Sequence, residues 1–191
     1  ADGTFDDQDA ATFLGTIGAA PLAGAEILIH SDFGRSATTD VWQSAFTNNA
    51  AAGLQFAANS IANGTKIVLE SLCYIPADSG GIVEVCVGPQ LTGDNAPIGS
   101  TYAIVLTPGT GTGEGYGNGI LRIEIELIGS GSAITGYVAA SFQGSGKAAP
   151  VVATGAIEVN GTLARTLDLR FNPLGTTSYI FRRNRVFRRN P

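Results

Sequence analysis

The one histidine of the chain, His30, stands in EILIHSD with Glu26 four residues before it and Asp32 two after it. Alternation along a strand puts Glu26, Leu28 and His30 on one face, where a metal ion could be held. A lone imidazole with no second His and no Cys pair is a weak ligand set, however. The plainer reading is a strand residue hydrogen-bonded at the domain edge. QGSGKAA (143–149) has the outline of a phosphate loop, but Ser141 stands where the first Gly is needed and Ala148 where a hydroxyl must reach Mg²⁺. There is no G-x-S-x-G elbow, and one His leaves little scope for a Ser-His-Asp or Cys-His arrangement. Paired carboxylates could act in any fold, and nothing in the sequence selects a pair. The expectation is a protein with no catalytic residues, no metal and no cofactor.

Cys73 and Cys86 flank YIPADSGGIVEV. A hairpin centred on Ser79-Gly80 would set them directly across from each other, near disulfide range. The absence of an export signal favours free thiols in the producing cell, with later oxidation in an extracellular particle as the alternative. Asn63-Gly64-Thr65 and Asn160-Gly161-Thr162 match the glycosylation sequon, but a turn role accounts for both.

The strongest charge signal is at YIFRRNRVFRRNP. Arg182, Arg183, Arg185, Arg188 and Arg189 are five of the eleven basic residues in a chain of net charge −5. Interleaved aromatic and β-branched residues predict a strand, with Tyr179, Phe181, Arg183, Arg185, Phe187 and Arg189 on one face and Ile180, Arg182, Asn184, Val186 and Arg188 on the other. These arginines are expected to meet carboxylates of a neighbouring subunit or another protein. A solvated edge and a polyanion site are the alternatives. The acidic balance argues against nucleic acid as a partner of the whole molecule. Asp2, Asp6, Asp7 and Asp9 give the opposite end of the chain the opposite sign.

The elements that must carry these residues are mostly strands. In ILRIEIELI, Leu121, Ile123, Ile125 and Leu127 alternate with Arg122, Glu124 and Glu126. In LARTLDLRF, Leu163, Leu167, Leu169 and Phe171 alternate with Ala164, Thr166, Asp168 and Arg170. Both read as strands with one buried face. AEILIHS, GLQFAA, TKIVLESLCYI, GIVEVCV, TYAIVL, ITGYVAASF and VVATGAIEV extend the series, and Asn63-Gly64, Asn118-Gly119 and Asn160-Gly161 read as tight turns. The pattern predicts an all-β antiparallel sandwich or jelly roll. Before it, Asp9 reads as an N-cap and Phe13, Leu14 and Ile17 as the apolar side of a short N-terminal helix that ends at Gly18 and Pro21. A helix that short is marginal alone, so its apolar side needs the main domain or copies of itself. The division is 1–25, a helical joint, and 26–191, the sandwich domain. TPGTGTGEGYGNG (107–119) is the candidate binding loop, with Thr110, Glu114, Tyr116 and Asn118 as its contact residues.

At 191 residues with only 14% charged positions, the chain can bury one substantial core without disulfides, and no stretch approaches the roughly 20 apolar residues of a membrane helix. No membrane partner is expected.

FAANSIANGTKIVLESLCYI, GGIVEVCVG, GILRIEIELIGSG and GAIEVNGTLARTLDLRFNPLGTTSYIFRRNRVF resemble, in order and spacing, the small jelly-roll modules of tailed-bacteriophage virion proteins, which are similar in fold to tumour-necrosis-factor-like trimers. The resemblance runs from about Leu54 to Phe187, and AATFLGTIGAAPLAG looks like the short helical joint of a tail fibre. It implies a non-enzymatic homotrimer located in the virion and bound to other virion proteins. Within that frame a tail-fibre or receptor-binding module would contact a bacterial surface glycan or protein, and a capsid decoration (cement) protein would brace the head. A jelly-roll lectin or carbohydrate-active enzyme is the third reading. It requires an aromatic-lined groove, for which Trp42, Tyr102, Tyr116 and Tyr137 are available.

Overall fold

The computed structural model describes residues 25–37, 42–47, 54–76, 81–88, 101–107, 116–145, 149–173 and 179–191. The expected helix with Phe13, Leu14 and Ile17 lies outside them, as do Thr110, Glu114 and Lys147. Within them the regular elements are twelve strands. These are β1 (Glu26–Asp32), β2 (Ser36–Ala37), β3 (Gln43–Ser44), β4 (Gln55–Phe56), β5 (Thr65–Ile75), β6 (Ile82–Gly88), β7 (Thr101–Leu106), β8 (Gly117–Ser130), β9 (Ala133–Gly144), β10 (Val151–Val159), β11 (Arg165–Asn172) and β12 (Tyr179–Arg189).

All pairings are antiparallel and fall into two sheets. The larger runs β1-β12-β5-β8-β9-β10 with β2 on the end of β12; the smaller runs β3-β11-β6-β7 with β4 also on β11. One apolar core contains residues of both sheets, among them Ile67, Leu69, Ile123, Ile125, Phe142 and Phe181 of the larger and Val83, Val85, Leu167, Leu169 and Phe171 of the smaller. Period-two alternation is the reason β8 forms as it does. Leu121, Ile123, Ile125 and Leu127 are buried while Arg122, Glu124 and Glu126 lie on the opposite face.

β11 departs from the one-sided expectation. Leu167, Leu169 and Phe171 enter the core, but Thr166, Asp168 and Arg170 on the other side are buried as well. Leu163 precedes the strand and is exposed. Asn118-Gly119 is a second departure. It lies inside β8, where a Cβ on Gly119 would overlap the Gln143 carbonyl, so the glycine serves close strand approach and not a turn. The β8–β9 turn instead uses Gly131 with φ +64°. Asn63 and Asn160 do act in turns. Asn63 Oδ1 accepts from the Gly129 amide at 2.8 Å, and Asn160 Oδ1 accepts from the Thr162 amide at 3.0 Å.

The Cys73–Cys86 hairpin does not form. β5 lies between β12 and β8 in one sheet and β6 between β11 and β7 in the other, so the connection crosses between layers. Cys73 sits opposite Phe181 and Gly119, Cys86 opposite Asp168 and Tyr102, and both are buried with no disulfide between them. Burial pushes the Cys73 thiol up to about 12, against a smaller opposing effect of the Leu121 backbone. Thiolate is the reactive form. Iodoacetamide at pH 8 is therefore expected to modify Cys73 only after denaturation, and mass spectrometry of the native protein showing rapid labelling would contradict its placement.

Candidate functional site: the outer face of β12 and its neighbours

The arginine-rich segment is a strand, as its residue pattern requires, but an interior one, hydrogen-bonded to β1 on one side and β5 on the other. β12 is therefore not an edge of the sheet. A bulge between Phe181 and Arg183 then overturns the expected faces. Tyr179 and Phe181 point into the core, Arg182 is the extra residue, and beyond it Asn184 and Val186 take over the buried face. One added residue reverses the phase of a strand. Arg183, Arg185, Phe187 and Arg189 are thereby turned outward.

Asn184 holds this arrangement. It is fully buried, and its amide nitrogen donates to Asp32 Oδ1 at 3.0 Å and to the Ala45 carbonyl at 2.7 Å. Its oxygen accepts from Ser71 Oγ at 2.5 Å. One side chain thus joins β12, β1, β5 and the segment after β3. Asp32 Oδ2 in turn accepts from the Thr47 amide at 2.7 Å.

β1 carries its own bulge between Leu28 and His30, which separates His30 from Glu26 and Leu28. His30 turns inward, packs edge-on to Phe46 at 5.3 Å, and places Nε2 3.3 Å from Asp32 Oδ2 outside hydrogen-bond geometry. The shared face with Glu26 does not exist. No cluster of three or more metal-ligating side chains occurs among the described residues.

The five arginines separate into two roles. Arg188 serves its own chain: Nε donates to Asn190 Oδ1 and Nη2 to the Ser60 carbonyl, each at 2.9 Å, and the guanidinium stands 5.5 Å from the Phe56 ring. Burial lowers its pKa. Its guanidinium is thus engaged within its own chain, at the domain end. Arg182, Arg183 and Arg189 are exposed and Arg185 is half-buried, and none of these four makes a side-chain ion pair among the described residues.

Arg185 lies opposite Glu70, but Glu70 is bonded to Arg122 on its other side. Arg122 also donates to Glu124 at 3.0 Å. Its pKa is raised: burial opposes the charge, and the two carboxylates outweigh it. Arg183 lies opposite Leu72, which lies opposite Ile120. Leu72 and Ile120 are 45% and 57% exposed, so apolar surface is left open between the arginines. Glu70, Ser71, Leu72, Ile120, Arg183 and Arg185 line a shallow concavity of about 230 Å³. Arginine beside exposed aliphatic surface, with the local carboxylate already engaged, is the composition of a protein-binding patch.

The loop candidates fare differently. Tyr116 is core, 8% exposed and 5.6 Å from Phe142, because Gly144 has no side chain to exclude its backbone. Its ring belongs to the core cluster. Asn118 is exposed, and its carbonyl accepts from the Ser145 amide at 2.8 Å. Trp42 is also committed internally, with the Arg170 guanidinium 5.1 Å from its ring. Tyr137 remains 58% exposed on β9, in a concavity that it lines with Lys66, Glu124 and Thr154 and not with either of these rings.

Sequence reasoning missed the buried polar group on the outer side of the smaller sheet. Arg170 Nη1 lies 3.5 Å from Glu84 Oε1, and Ser44 Oγ donates to Asp168 Oδ1 at 2.5 Å. Burial raises the Glu84 pKa, and the nearby Arg170 charge offsets only part of that. The signal was present in LDLRF as Asp and Arg on the polar phase, but alternation alone assigns that phase to solvent.

No protein-family profile matches the chain, and no curated protein matches it.

Proposed function

We propose that the chain is a non-enzymatic structural protein of a tailed-bacteriophage virion, a jelly-roll module that assembles as a trimer of tail-fibre or receptor-binding type. The observation that carries the reading is the nesting of strand pairs. β1 pairs with β12, β3 and β4 with β11, β5 with β8, and β6 with β7, so the chain folds as a ribbon whose first and last strands meet. These pairs alternate between the two sheets. This winding supports the jelly-roll reading, with β9–β10 as a hairpin added after β8. The resemblance in sequence supplies the virion, the trimer and the bacterial surface glycan or protein as the receptor. The arginine and aliphatic patch supplies the surface by which one subunit would meet another.

That surface also favours a second reading, capsid decoration. β9 and β10 widen the larger sheet into a broad outer face of mixed charge, a shape suited to bracing neighbouring head proteins. Imaging of virions labelled for this protein separates tail from head.

The subunit contact is tested by Arg183→Ala combined with Arg185→Ala. Both side chains point outward, so thermal unfolding should be unchanged. Association of the 19.5 kDa chain into threefold units, measured by light scattering, should weaken by at least about tenfold, because a charge pair desolvated at an interface loses one partner. Intact assembly together with salt-sensitive binding of an acidic polymer would transfer the site to polyanion recognition.

A further inference from the structure

We propose that β10 is a self-association edge, which pairs antiparallel with β10 of a second copy about Gly155. The argument begins with how the other sheet edges are blunted. β1 is bulged and carries Glu26, His30 and Asp32; β7 is six residues long with a register shift against β6; β3 and β4 have two residues each. Short length, bulges and charge are the ordinary defences of an exposed edge. β10 is neither short nor bulged, and its one charge, Glu158, stands next to its end. It runs nine residues in unbroken register with β9, and nothing among the described residues pairs with its other side. Val151 to Ile157 contains neither charge nor proline.

Burial shows that this edge is incomplete. On β9 every inward residue from Ile134 to Gly144 is buried, whereas on β10 the inward Val151, Ala153 and Gly155 are only partly covered. β7 of the smaller sheet packs beneath them, with Ala103 against Gly155, and one more strand beside β10 would complete their cover.

The occupant follows from the sequence of the edge itself. Antiparallel pairing about Gly155 sets Val151 against Val159 and Ala153 against Ile157 on the inner face, all apolar. On the outer face it sets Thr154 against Ala156 and Val152 against Glu158. The two Glu158 carboxylates then sit about 20 Å apart, six residues along the strand, so the one charge of β10 meets no like charge. A twofold axis through Gly155 makes the contact isologous and continues the larger sheet from one copy into the next.

This contact is independent of the threefold reading, because its signature is a factor of two. Light scattering of the full chain should give an assembly whose mass halves in Thr154→Lys and in Ala156→Lys, whether from six chains to three or from two to one. Both side chains are exposed, so the thermal midpoint should be retained. Ala139→Lys, exposed on the same face but on the interior strand β9, should leave the mass unchanged. Thr154→Cys with Ala156→Cys should give a covalent pair of chains under mild oxidation. Equal mass for the parent and both edge variants, halving by Ala139→Lys as well, or no cross-linked species overturns the proposal.

Discussion

Arg170→Leu is expected to cost about 3–5 kcal/mol of stability, the scale on which removing one member of a buried ion pair strands the other. Arg170 is 2% exposed in β11, lies 3.5 Å from Glu84 and covers the Trp42 ring. Glu84 is already poorly placed as an anion, since burial raises its pKa despite the arginine. Without Arg170 the pKa rises further, and folding at neutral pH must either hold an uncompensated carboxylate or take up a proton. The sign follows from linkage. A carboxyl whose folded pKa lies above its unfolded value favours folding most below the unfolded value, and that contribution is lost as pH rises through the folded pKa. The defect should therefore be largest near pH 8 and shrink toward pH 4.5. Adding Glu84→Gln should recover most of the loss and flatten that slope. Denaturant unfolding at the two pH values measures both. A loss below about 1 kcal/mol, or no recovery in the double variant, would show that Trp42 and the sheet carry Arg170 without need of the ion pair.

The strands were legible because their chemistry is local. TKIVLESLCYI, TYAIVL and VVATGAIEV match β5, β7 and β10 end for end, and the alternation in ILRIEIELI gives the buried side of β8. What failed was information that resides between strands. Cys73 and Cys86 are symmetric about Ser79-Gly80 in sequence, yet a connection of that length can close a hairpin or step to the opposite sheet, and only the pairing of β5 with β8 and β6 with β11 decides which. The arginine faces failed for a similar reason. Nothing in IFRRNR marks Arg182 as an added residue, because the bulge is imposed by β5 and by the Gly34 backbone, whose amide donates to the Arg182 carbonyl at 3.2 Å. Once the phase is reversed, the polar residue on the buried side is Asn184, and its three partners come from positions 113, 139 and 152 residues away.

That dependence makes Asn184→Asp the most informative substitution on β12. The two side chains have nearly the same volume, and the new carboxylate can still accept from Ser71, so packing and one hydrogen bond are kept. The amide donor is lost. Its two acceptors, Asp32 Oδ1 at 3.0 Å and the Ala45 carbonyl at 2.7 Å, would then face another acceptor that carries charge. Each buried acceptor left without a donor costs about 1–3 kcal/mol, and two carboxylates at that separation repel by roughly 5 kcal/mol at an effective dielectric of 20. One carboxyl should therefore hold a proton in the folded state. The expected outcome is a loss of about 3–6 kcal/mol at pH 7 that diminishes as pH falls toward 4, with Asn184→Ala losing less at pH 7 and showing no such recovery. The consequence extends to the outer face, since Asn184 anchors the strand just past the bulge that turns Arg183 and Arg185 outward. Asn184→Asp at pH 7 should weaken subunit association under conditions where the chain is still folded. A variant that loses stability yet associates as tightly as the parent would separate the arginine face from the buried hub beneath it.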